Sequence, residues 1–169
     1  MKVMTTRFGE VDIDDEKIIK IPDSMLGFSE KRFIVLLPDN YGQFFWLQSV
    51  DNPALAFVVT DPVSFVQDYE VKLTSEEYKK LKLKPESKVI ILSLVTMAQD
   101  VMDITINLQG PIVVNPEKML AKQIVLEDGR YKTKHPLFAN PTLLESPLKK
   151  ENGQLAVSLK KISNICCNL

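Results

Sequence analysis

His135 is the single histidine of this 169-residue chain, so a proton shuttle or a Ser–His–Asp triad would have to use it. It lies between Lys134 and Pro136 in a turn-rich stretch, and no G-x-S-x-G elbow accompanies it. A surface or hydrogen-bonding histidine is the expectation. Cys166 and Cys167 are the only thiols. With His135 they make three soft ligands, two of them adjacent, where a structural zinc site needs four. The pairs Asp12 with Asp14 and Asp100 with Asp103 have the residue type for acid–base hydrolysis, which requires two carboxylates across a cleft. Solvated turn acids are the simpler reading. Lys79, Lys80, Lys82, Lys84 and Lys88 concentrate positive charge, but Glu76, Glu77 and Glu86 interleave and no stacking aromatics accompany them. The six glycines are scattered and build no phosphate loop. These residues predict no enzyme, cofactor, metal or small-molecule substrate. The competing reading is a small carboxylate-site hydrolase or sugar-binding β-barrel.

The elements that would position any site read mainly as strands. Gln43–Pro62 holds the only Trp and a continuous apolar run. Phe44–Leu47 and Ala54–Val59 flank the turn cluster Ser49-Val50-Asp51-Asn52-Pro53, which predicts a central hairpin. Lys2–Thr6 and Glu10–Ile13 form a shorter hairpin across Arg7-Phe8-Gly9. Further strands are expected at Lys17–Ile21, Phe33–Leu37, Val89–Ala98, Asp103–Leu108, Ile112–Val114 and Ala121–Leu126. Asp39-Asn40-Tyr41-Gly42 reads as a turn. Thr74 with Glu77 has capping-box spacing at the head of one short helix. The fold class is therefore all-β with one short helix, a small closed barrel-like domain of nine or ten short strands.

Composition places this domain among ordinary globular proteins, 45% hydrophobic and 25% charged. Residues 1–139 carry 17 Lys and Arg against 20 Asp and Glu, so the body is net −3. Residues 140–169 carry four Lys and two Glu and read as a separate, partly ordered appendage. Its Gln154–Ile165 stretch could form a strand or a docked helix. An acidic body without stacking aromatics argues against direct nucleic acid binding. No apolar run approaches the roughly 18 residues of a membrane span, and no signal-peptide core follows Met1. With no second pair of thiols, a cytoplasmic location is expected.

Several blocks in order are familiar: Thr6-Arg7-Phe8-Gly9-Glu10-Val11; Ile21-Pro22 with Leu26-Gly27-Phe28; Trp46-Leu47-Gln48-Ser49-Val50-Asp51 with Pro53; Leu55-Ala56-Phe57-Val58-Val59 and Asp61-Pro62; Gly110-Pro111-Ile112-Val113-Val114-Asn115; and His135-Pro136-Leu137. On these the chain resembles the flagellar assembly factor family FliW from about residue 3 to 138. Its tail, 140–169, is longer than the family pattern. The resemblance implies a barrel-like fold without catalytic activity. It implies an antagonist of CsrA, a dimeric RNA-binding translational repressor, acting away from the RNA surface. It also implies binding to flagellin, so that flagellin synthesis follows assembly.

Contact candidates follow from exposed apolar chemistry. Pro22, Met25, Leu26 and Phe28 combine rigid backbone with large apolar groups in a loop, where capping the core is the competing role. Phe44, Trp46 and Gln48 share one face of the central strand by alternation, with Phe45 and Leu47 on the other. Burial in the core is the competing role for Trp46. Gln48, Ser49 and Asp51 point to recognition because packing does not call for polar groups there.

Overall fold

The computed structural model describes residues 1–38, 42–138, 162 and 164–169. Its strands in chain order are β1 (Lys2–Thr5), β2 (Gly9–Asp12), β3 (Ile19–Lys20), β4 (Arg32–Leu37), β5 (Phe45–Ser49) and β6 (Ala56–Thr60). They continue with β7 (Ile90–Thr96), β8 (Thr105–Ile106), β9 (Ile112–Asn115), β10 (Leu120–Gln123), β11 (His135–Pro136) and β12 (Cys166–Asn168). The order β7-β6-β5-β4-β3-β10-β9 returns to β7 and closes a seven-stranded barrel. Closure leaves these strands without a free edge along the ring, which explains how such short strands persist. Among the described strands only β10–β3 and β12–β4 pair in parallel.

The longest apolar run becomes β7 because it serves several neighbours. Ile90–Leu92 pair with β9, Val95–Thr96 pair with β8, and Val58–Thr60 of β6 lie along Ser93–Val95. Phe45 and Leu47 point into the barrel with Phe33, Val35, Val59, Leu92 and Val114. The opposite face of β4 and β5 carries Ile34, Leu36 and Trp46, which pack beneath Val3 and Val11 of the β1–β2 hairpin. Gly9 supplies the left-handed backbone, φ +70°, that this hairpin needs. The N-terminal hairpin is therefore a second layer over one barrel wall.

Helix α1 (Ser75–Lys80) carries the expected capping box: Thr74 Oγ1 accepts from the Glu77 amide and the Glu77 carboxylate accepts from the Thr74 amide. Leu81 behind it is fully buried against Val113 and Ile124. The described strands number twelve rather than nine or ten. The excess is β11 and β12, strands of two and three residues that pair with β8 and β4 and are too short to leave a periodic pattern. The Ala121–Leu126 strand is assigned only to Gln123, although the Ile124 and Leu126 amides still reach the Pro111 and Gln109 carbonyls.

The turn at Asp39-Asn40-Tyr41 and most of the 140–169 segment lie outside the described residues. At the end of the chain, Cys166–Asn168 pair with Val35–Leu37, beyond the stretch of β4 that β3 covers. Ile162, Ile165 and Cys166 join the barrel core, and Lys17 Nζ donates to the Cys166 carbonyl at 2.6 Å.

Candidate partner-binding surface

The Pro22 loop is built by hydrogen bonds rather than by packing alone. The Ser24 amide donates to the Ile21 carbonyl and the Phe28 amide to the Met25 carbonyl, giving two tight turns. Ser24 at φ 60° and Gly27 at φ +85° take left-handed backbone that permits these turns. The Leu26 amide donates to Gln123 Oε1 at 2.9 Å, tying the loop tip to β10. Asp23 accepts from Lys122 at 2.8 Å and from Lys80 at 3.1 Å. Those lysines, Lys122 foremost, hold the Asp23 carboxyl below its ordinary range.

This scaffold presents apolar side chains to solvent. Leu26 is 70% exposed and Phe28 41% exposed. Phe28 sets its edge against Phe57 of β6, ring centroids 4.9 Å apart, so its orientation is fixed. Pro22 is exposed beside them. Met25, at 3%, points into the barrel core and anchors the loop from below. The loop thus divides between core capping and display, with Met25 in the first role and Leu26 and Phe28 in the second.

The central strand is different. Every residue of β5 is buried, because the β1–β2 hairpin covers the face that carries Trp46. Phe44 is half-buried and stacks on Phe65. Gln48 has no solvent exposure; its Nε2 donates to the Ser49 and Leu55 carbonyls at 3.0 Å each. Ser49 Oγ accepts from the Asp51 and Asn52 amides. Asp51 pairs with Arg32 across the strands. Packing does not call for these polar groups, but turn construction does: Gln48 and Ser49 satisfy the backbone of the β5–β6 turn, and Asp51 ties the turn to Arg32 of β4.

A cleft of about 400 Å³ opens beside that turn, lined by Thr6, Arg7, Trp46, Gln48, Pro53 and Ala56 among others. The Thr6 amide donates to the Pro53 carbonyl at 2.9 Å and joins the two turns. The Arg7 guanidinium lies 4.2 Å from the centre of the Trp46 ring, and Phe8 meets the same ring edge-on at 5.7 Å. Arg7 and Phe57 were not among the sequence-derived contact candidates. A cross-strand aromatic partner and a cation folded over a ring depend on which hairpin packs where, which spacing alone does not encode.

The groups with catalytic chemistry are dispersed. Asp14 and Asp100 each accept a backbone amide at the start of a 3-10 turn, so they cap rather than face a cleft. His135 is half-buried in the two-residue strand β11. Burial, with Cys167 next to it, pushes the Cys166 thiol up to about 12, so it is protonated and unreactive at neutral pH. Among the described residues no three His, Cys, Asp or Glu side chains gather to hold a metal ion, and no helix is long and apolar enough to cross a membrane.

Residues 2–137 match the family model described as FliW protein. The chain is 56% identical over 150 residues to the flagellar assembly factor FliW of Geobacter sulfurreducens, covering 89% of this chain and 94% of that one. It is 53% identical over 153 residues to the protein of the same name from Geotalea uraniireducens, covering 90% of each. A crystal structure of the flagellar assembly factor FliW superposes with a TM-score of 0.77 at 37% identity, covering 83% of this chain and 99% of that chain.

Proposed function

This chain belongs to the FliW family, and on that premise we propose that it serves flagellar assembly by binding proteins rather than by catalysis. Its partners are the translational repressor CsrA and flagellin. Bound to CsrA away from the RNA surface, it lowers the repressor's affinity for flagellin mRNA. Bound to flagellin, it is withheld, so secretion of flagellin releases it and restores translation. The work takes place in the cytoplasm, with no cofactor and no direct contact to nucleic acid or membrane.

The observation that carries this reading is the exposed Leu26–Phe28 pair on a loop fixed by hydrogen bonds and ion pairs. Apolar side chains displayed on rigid backbone lose little entropy on binding, which favours a docking surface. The net −3 charge of residues 1–139 supplies the means of inhibition. An acidic body beside an RNA site lowers the local potential and opposes phosphate approach without covering the site.

Calorimetric titration of the purified chain with CsrA and with flagellin tests the reading. Saturable binding to both is expected, with Leu26→Asp weakening at least one of them. Binding to neither overturns it. Repressor–RNA affinity measured with and without this protein across a salt series tests the electrostatic part. Inhibition should fade as salt rises; equal inhibition at low and high salt refutes that mechanism.

A further inference from the structure

We propose that the cleft between the β1–β2 and β5–β6 turns receives an acidic side chain, Glu or Asp, from a peptide segment of a protein partner. The inference rests on the protein-binding reading above and assigns that reading a second, polar contact site. Two unspent groups meet in this cleft. Arg7 is exposed and stacked on Trp46, and no described carboxylate forms an ion pair with it. Gln48, which forms part of the cleft wall, engages its Nε2 fully but leaves its buried Oε1 without a hydrogen-bond partner. A buried amide oxygen left unpaired is costly, so this wall of the cleft is polar and under-satisfied beside the exposed guanidinium.

The complementary ligand carries one carboxylate. The carboxylate meets the planar fork of Arg7, which its place over the indole ring holds in the cleft. Trp46, Pro53 and Ala56 pack on the intervening aliphatic carbons. Among the lining residues only Arg7 is charged. A single charge balances a carboxylate and leaves the second charge of a phosphomonoester unmatched, so an acidic side chain is favoured over a phosphorylated one. The polar cleft lies on the hairpin-covered wall of β5, whereas Leu26 and Phe28 sit on the loop between β3 and β4.

Trp46 is the only tryptophan, so its fluorescence reports on the cleft directly. The full chain is titrated with the blocked tripeptide acetyl-Ala-Glu-Ala-amide and with its Gln counterpart. A saturable change with the Glu peptide is expected, with little response to the Gln peptide. Arg7→Gln should weaken the Glu response about tenfold or more, as loss of a charge-assisted contact predicts. Arg7→Lys should fall between the two, keeping the charge and losing the fork. Equal responses to both peptides, no saturable change, or an Arg7→Gln variant that binds like the parent would each overturn the site. Arg7 is exposed, so an unchanged melting temperature in both variants separates lost binding from lost folding. Titrating the parent chain with CsrA and flagellin keeps the two readings apart. Failure to bind either protein sinks the general reading, whereas a silent cleft beside intact protein binding sinks only this one.

Discussion

Two apolar stretches of this protein carry similar side chains and end in opposite environments. The Pro22 loop contains Leu26 and Phe28 and exposes both; β5 contains Phe45, Trp46 and Leu47 and buries all three. The difference does not lie in the side chains. The loop is held from beneath by Met25, Gln123 and two lysines, which leaves its tip uncovered. The strand is roofed by the β1–β2 hairpin, which turns a half-exposed barrel wall into an interior one. Availability to a partner is therefore set by what lies over an element, and local hydrophobicity is a poor guide to it.

The strongest way to break this comparison is to truncate one side chain in each region. Phe45→Ala empties a place in the closed barrel and should cost about 3–5 kcal/mol in chemical denaturation. Leu26→Ala should stay within about 0.5 kcal/mol of the parent while weakening binding to CsrA or flagellin. Comparable losses of stability at both positions would show that the loop is part of the core after all.

Ser49→Ala sharpens the contrast within β5. It removes the acceptor for the Asp51 and Asn52 amides, so urea denaturation should show a loss of about 1–2 kcal/mol. A neutral result would return Ser49 to the candidates for recognition. Phe8→Ala probes the roof itself. Removing the edge-on contact to Trp46 should cost about 1 kcal/mol beyond the lost area and shift Trp46 emission to the red. An unchanged emission spectrum would mean that the hairpin does not shield the ring.

The smallest effect concerns the loop's ion pairs. Asp23 has a lowered folded-state pKa, chiefly through Lys122 and then Lys80. Its stabilising contribution is complete above the unfolded carboxylate value of about 4 and fades as pH falls through the lower folded value. Asp23→Asn should flatten that part of the acid limb in urea midpoints measured against pH. The effect is modest because the pair is exposed and screened by solvent. An acid limb as steep in the variant as in the parent would show that other carboxylates carry it.

Much of this was legible before folding was considered. Alternation in β1, β2 and β5, the Thr74 capping box and the apolar run of β7 all report short-range rules, since a strand face or a helix cap depends on residues a few positions apart. The barrel followed from the number and brevity of the strands. The role of Gln48, Ser49 and Asp51 was not legible. Polar groups beside a tryptophan look the same in sequence whether they meet a partner or close a turn, and only the positions of the Leu55 carbonyl and Arg32 distinguish the two. Likewise β12 leaves no periodic trace, because three residues pairing in parallel with β4 gain their stability from contacts over a hundred residues distant in sequence.

The sequence by itself determined an all-β chain, its hairpins, the capped helix α1 and a familiar order of motifs. These rest on covalent geometry, alternation and turn chemistry, which act over a few residues. Only the tertiary structure decided which apolar groups face outward, that Arg7 lies over Trp46, and that Gln48 keeps an unpaired oxygen at a cleft wall. Those outcomes depend on one hairpin settling across another. Packing of distant segments chooses that arrangement, because it maximises buried apolar area under closure of the ring.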